Sequence, residues 1–160
     1  MSNMIVSQFM GILKLTIQIR IDVLAMLADT DLAYKLPGVN PTLGELFKEI
    51  GEMIHIYTES FKTFELDYTY HHDDEICDSV KALQMWFQEL DARLYATLEN
   101  LTDEQINTQM IQRPQFGEAF SVSVNFHTLR EGFLIYYGKL SCYLKAMDRS
   151  LPQQMQKWIG

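Results

Sequence analysis

The sequence predicts a single all-α domain, a four-helix bundle with a long crossover connection. Three observations carry that reading. Four long stretches place apolar residues three and four positions apart, the spacing that lines one face of a helix. Helix-start signals stand where two of those stretches begin, at Thr42 and at Asp78 or Ser79. The connections are polar and modest in length, with no internal repeat and no low-complexity segment. A chain of 160 residues suits one domain, 1–160, with one continuous core.

The first helix is expected from about Asn3 to Leu27, with Phe9, Leu13, Ile17, Leu24 and Leu27 near the helical period. Met10, Ile19, Ile21 and Val23 widen its apolar stripe, as in a central helix or one with a second interface. Asp29 to Asn40 reads as a connector ending in the break Leu36-Pro37-Gly38. Thr42-Leu43-Gly44-Glu45 is a capping box, in which the Thr hydroxyl and the Glu carboxylate satisfy end amides reciprocally. Leu43, Leu46, Phe47, Ile50, Ile54, Tyr57, Phe61 and Phe64 then form the stripe of the second helix.

Leu66 to Glu75 is polar and turn-like. Val80, Leu83, Phe87, Leu90, Leu94 and Leu98 give the third helix the cleanest periodicity in the chain. Thr102 to Gln105 is a further cap-like start, for a short helix. Gln109 to Ala119, with Pro114 and Gly117, is expected to be irregular, and Ser121 to Val124 allows a short extended segment. The fourth helix, Ser121 to Met147, carries Leu129, Phe133, Tyr136, Leu140, Leu144 and Met147 on one face. The longer connections leave room for a crossover along the bundle.

Charge narrows the function classes. Twenty-one Asp and Glu against 13 Lys and Arg give −8, a field that repels phosphate backbones and disfavours nucleic acid. Cys77 and Cys142 form neither a C-x-x-C nor a disulfide framework, which fits reduced thiols in a cytoplasmic protein. The apolar stretch Met1 to Leu27 is interrupted by Lys14, Arg20 and Asp22, so it reads as a buried helix and not as a signal peptide or membrane span.

Two groups of residues carry a resemblance. Thr42-Leu43-Gly44-Glu45-Leu46 opens the second helix, and Tyr137-Gly138-Lys139-Leu140 with Tyr143-Leu144 lies in the last, followed by Pro152. Together with the order and length of the helices over nearly the whole chain, they resemble the DinB-like, or YfiT-like, family. That resemblance implies a DinB-like four-helix bundle and, in the family, a divalent metal held by three His. The corresponding positions here are Glu49, Gly132 and Tyr136. A metal centre wants three convergent ligands and an open position, and this set offers one carboxylate and one phenol.

Other candidates have plain structural readings beside the functional ones. His127 and Glu131 share a helix face with ligand-like spacing, yet that face points away from Phe133, Leu140 and Met147 and is expected at the surface. His55 lies about 145° from the centre of its helix's apolar stripe and is also expected to be exposed. Glu49 falls near the edge of that stripe, where it either pairs with Lys48 or another cation or looks into a cleft. His71-His72-Asp73-Asp74-Glu75 is rich in donors, but consecutive loop residues do not easily converge on one ion. Tyr136, Tyr137 and Tyr143 are ordinary core aromatics, or with Glu49 the lining of a small-ligand pocket. Cys142 falls on the outer face of its helix.

The sequence therefore leads to a bundle without the family's metal site, expected to bind a small molecule or a protein without catalysis, and without a cofactor. A homodimer is expected from the wide apolar surface of the first helix and from the resemblance. The alternative is a Zn- or Ni-dependent thiol transferase or hydrolase with relocated ligands, drawn from Glu49 and Tyr136 or from His127 and Glu131. Nucleic acid and membrane are not expected partners.

Overall fold

The computed structural model describes residues 4–159. Four long helices form the bundle: α1 (Met4–Ala25), α3 (Leu43–Thr63), α4 (Val80–Glu99) and α6 (Val122–Ala146). Short helices α2 (Asp29–Leu32), α5 (Asp103–Thr108) and α7 (Gln153–Ile159) fill the connections, with a hairpin of β1 (Met110–Arg113) and β2 (Glu118–Ser121) before α6. Residue contacts fix the directions. Gly51 meets Trp86 and Glu59 meets Arg93, so α3 and α4 run parallel. Ser60 meets Asn125 and Met53 meets Gly132, so α3 and α6 run antiparallel. Ala25 and Gln84 line one cleft beside the Arg20–Asp91 contact, so α1 and α4 are also antiparallel. Among the described residues no helix is long and apolar enough to cross a membrane.

The caps behave as their side chains dictate. Thr42 Oγ1 accepts from the Glu45 amide at 3.2 Å while the Glu45 carboxylate accepts from the Thr42 amide at 2.6 Å. Thr102 and Gln105 cap α5 in the same reciprocal manner, and the Ser79 hydroxyl caps α4 by accepting from the Ala82 amide, within a residue of the expected starts. The segment 109–119 departs from the expected irregular loop. Ile111 pairs with Phe120 and Arg113 with Glu118 in an antiparallel hairpin whose turn holds Gly117 at φ +63°. Ser121 is an N-cap rather than the start of an extended run, because its hydroxyl accepts from the Val124 amide.

Because α3 and α4 are parallel neighbours, the chain must return along the whole of α3. Segment 64–79 does so. It begins with a two-way backbone exchange, Leu66 N–H to Gln112 O and Gln112 N–H to Phe64 O. It ends where the Cys77 carbonyl lies over Gly44, 2.1 Å from where a Cβ on that glycine would be. On the way Tyr70 stacks on His55 with ring centroids 3.6 Å apart, and His72 stacks on Trp86 at 4.2 Å. His55 is consequently half-buried and not exposed: the helical wheel places it away from the bundle, and the crossover covers that outer face. Ile56 beside it is buried as well.

The core runs through all four long helices. Phe9 and Phe126 stack at 3.9 Å, tying α1 to α6. The inward tyrosine of α6 is Tyr137, which is buried and donates to the Thr16 carbonyl at 2.8 Å; Tyr136 stays half-buried at the bundle edge. On α1, Met10, Ile19 and Val23 are buried as a wide stripe requires, whereas Ile12, Leu15 and Ile21 face outward. A charged pair enters the core between α1 and α4. Arg20 is fully buried, pairs with Asp91 of α4, and lays its guanidinium 4.0 Å from the centre of the Phe87 ring. Burial pushes the Asp91 carboxyl above the usual carboxylate range, and the Arg20 charge opposite pulls it back.

A buried pair loses most when only one partner is removed. Asp91→Ala, which strands the Arg20 charge, is expected to lower the unfolding free energy by about 3–5 kcal/mol in urea titrations. The double change Arg20→Met with Asp91→Leu is expected to recover most of that loss. Equal losses in the two variants would show that the charge is not what matters.

Candidate functional site

The capping box at Thr42 fixes where α3 begins and therefore which side chains face α6. Glu49, Glu52, Met53 and Ile56, three and four apart, share one face. On antiparallel α6, Gly132 and Tyr136 are one turn apart and oppose them. The crossover adds Tyr68, Tyr70 and His71 as a third wall, and together they enclose a cleft of about 330 Å³.

Glu49 and Tyr136 meet. The Tyr136 hydroxyl faces the Glu49 carboxylate, and its pKa is pushed up to about 12, first by burial and then by the Glu49 charge. At neutral pH the phenol keeps its proton. Lys48 does not pair with Glu49. Its ammonium bonds Asp74 of the crossover and lies 3.7 Å from Glu52. Glu52 also accepts the His72 amide at 2.8 Å and lies 3.6 Å from His71 Nδ1. Burial and then the neighbouring Tyr57 hold the Tyr68 pKa up at about 12.

Gly132 is closed over. A Cβ placed there would lie 2.4 Å from Met53 Sδ, so the thioether occupies the space a side chain at 132 would enter. An unbranched Met suits that task, since its torsions adapt to an irregular gap.

The remaining candidates do not join this cleft. Tyr137 points into the core, and Tyr143 donates to the Pro41 carbonyl. His127 and Glu131 are exposed, as expected. The 71–75 cluster is spread by its packing: His72 lies on Trp86 with Nδ1 3.1 Å from the Tyr70 hydroxyl, and Asp74 is taken by Lys48. Cys142 is exposed, whereas burial raises the Cys77 thiol. Among the described residues, no three His, Cys, Asp or Glu side chains gather as metal ligands would. Sequence reasoning missed Glu52 and Met53, which the spacing from Glu49 could have supplied, and Tyr57, Tyr68 and Tyr70, which depend on the path of the crossover.

A crystal structure of a DinB-like protein, YjoA from Bacillus subtilis, is similar to this chain with a TM-score of 0.69 and 21% identity, over 95% of this chain and 97% of that one. The chain has the DinB-like fold. No family model matches the sequence, and no curated protein matches it. In this DinB-like bundle the three positions to which the resemblance assigns metal ligands do come together, on facing turns of α3 and α6. They present one carboxylate, one phenol that keeps its proton, and no side chain at all. That donor set does not fit a divalent metal, which needs three convergent ligands with lone pairs free.

His55, under Tyr70 at the neighbouring end of the crossover, has its pKa lowered from 6.5 by burial and by the Arg93 charge. The unfolded chain therefore binds its proton more readily, so this contribution to stability is present above 6.5 and is lost as pH falls below it. NMR titration should show a His55 midpoint below 6.5 that moves back toward it in Tyr70→Ala. An unmoved midpoint would mean that the crossover is not what desolvates the imidazole.

Proposed function

We propose that this DinB-like protein binds a small organic ligand, without catalysis, in the cleft between α3, α6 and the crossover. One observation carries the reading: Met53 Sδ fills the space above Gly132, so the place where the resemblance puts a metal ligand is apolar and closed. What remains open is a concave, tyrosine-lined cleft beside Glu49 and Tyr136. Such a cleft, mostly apolar with a few fixed polar groups, is the usual form of a small-molecule site. We place the protein in the cytoplasm, where free Cys77 and Cys142 would persist as thiols.

The test is the metal content of untagged protein purified without chelator, by plasma mass spectrometry, with Glu49→Ala as the control. Background metal in both is expected. A stoichiometric transition metal that disappears in Glu49→Ala would overturn this reading and install a metal-dependent transferase or hydrolase with relocated ligands.

We propose further that the protein is a homodimer. The outward residues of α1 and α4 support this: Leu15 is 58% exposed, Met85 is 55% exposed, and Ile12 and Ile21 of α1 are exposed as well. A dimer is expected by light scattering at micromolar concentration, with Leu15→Lys shifting it to monomer. A monomer in the unaltered protein ends the proposal.

A further inference from the structure

The cleft contains little that could hold an anion. No Lys or Arg lines it. The Tyr136 phenol faces the Glu49 carboxylate, and the Tyr70 hydroxyl lies 3.1 Å from His72 Nδ1. A carboxylate or phosphate ligand would therefore meet two carboxylates and no Lys or Arg.

What the walls do offer is negative potential. Tyr57, Tyr68, Tyr70 and Tyr136 present aromatic surface around Glu49 and Glu52. Lys48 is shared between Glu52 and Asp74, and the Lys139 ammonium lies 5.0 Å from the centre of the Tyr136 ring; among the described residues neither forms an ion pair with Glu49. Aromatic faces attract cations through their quadrupole, most strongly where water is excluded, and a nearby carboxylate adds to that attraction. The volume also limits size. At ~30 Å³ for each water in the liquid, about 330 Å³ holds roughly ten non-hydrogen atoms.

We infer that the ligand is a small organic cation, an ammonium compound whose charged head lies among Tyr57, Tyr68, Tyr70 and Tyr136 with Glu49 as its counter-ion. This rests on the small-ligand reading of the cleft and adds the chemical class. The carboxylate that the resemblance aligns with a metal-binding His thus keeps a cation as its partner, now an organic one.

The experiment compares cations with neutral molecules of the same shape: choline against its carbon isostere dimethylbutanol, and benzylamine against benzyl alcohol. Binding is followed by calorimetry and by NMR signals of the cleft tyrosines in the full chain. The cations are expected to bind at least about tenfold more tightly than their isosteres, since a desolvated cation–aromatic contact alone supplies roughly that factor. Glu49→Gln keeps an oxygen beside Tyr136 and should remove about tenfold of cation affinity without changing isostere binding. Glu52→Gln serves the same purpose should Glu49→Gln fail to fold. Equal binding of cation and isostere at the cleft would overturn the cation assignment and leave the small-ligand reading standing. No perturbation of the cleft tyrosines by any of the compounds would overturn both.

Discussion

Two neighbouring helices that point the same way force the chain to travel back along one of them, and the rest of this structure depends on how it does so. Helix α3 has 21 residues and is about 30 Å long. An extended chain covers that distance in roughly nine residues, so segment 64–79 has length to spare. The surplus goes into packing. Tyr70 lies on His55 and Asp74 on Lys48, both on the α3 face turned away from the bundle, and His72 lies on Trp86 of neighbouring α4. A helix that would otherwise show water one whole side becomes surrounded, and the cleft is the gap left where the crossover passes the α3–α6 seam. Gly51 permits the arrangement, since a Cβ there would lie 2.1 Å from the Trp86 ring on which His72 rests.

The opposite side of the bundle is held by a different device. Arg20 is buried in α1 with Asp91 as its counter-charge, in a helix whose neighbouring core positions are apolar. Apolar contacts between α1 and α4 would tolerate sliding by a turn with little loss. A single buried ion pair does not, because displacement by one turn leaves two desolvated charges apart. The pair therefore sets the register of α1 against α4, while Phe9 on Phe126 and Tyr137 on the Thr16 carbonyl set it against α6. Ile12, Leu15 and Ile21 of α1 are then left as exposed apolar residues.

How far the sequence could be read follows from which of these forces are local. The caps at Thr42, Ser79 and Thr102 are legible because a hydroxyl and an amide a few residues away settle them. The stripe of α4 is legible because its period reports one neighbourhood. His55 and Ile56 were not, because what covers them arrives from a loop whose composition says only that it is polar. Tyr136 and Tyr137 are adjacent and chemically alike, so periodicity alone does not say which turns inward; the answer lies in the Thr16 carbonyl of another helix. The hairpin at 110–121 was likewise hidden, since each of its strands is four residues long and gains order from its partner and from the exchange with Phe64 and Leu66. For the site, Glu49, Gly132 and Tyr136 were placed together by resemblance alone. The meaning of Gly132 needed Met53, a residue that reads from sequence as one more apolar side chain.

That pairing of Gly132 with Met53 explains how a bundle can keep its shape while its site changes chemistry. A glycine in the middle of a long helix costs about 1 kcal/mol relative to alanine unless something gains from the missing side chain. Here the gain is volume: the thioether packs into it and closes the seam between α3 and α6. With that position closed, Glu49 does not face a set of donors that could share an ion with it, and the phenol of Tyr136 is the group beside it. A half-buried carboxylate beside a neutral phenol has lost part of its hydration without gaining a cation. The cheapest complement in a cleft walled by tyrosine is a cation too large and too weakly hydrated to need a ligand cage. The loss of the third ligand position and the aromatic character of the crossover thus act in the same direction, one withdrawing the conditions for a metal and the other supplying those for an organic cation.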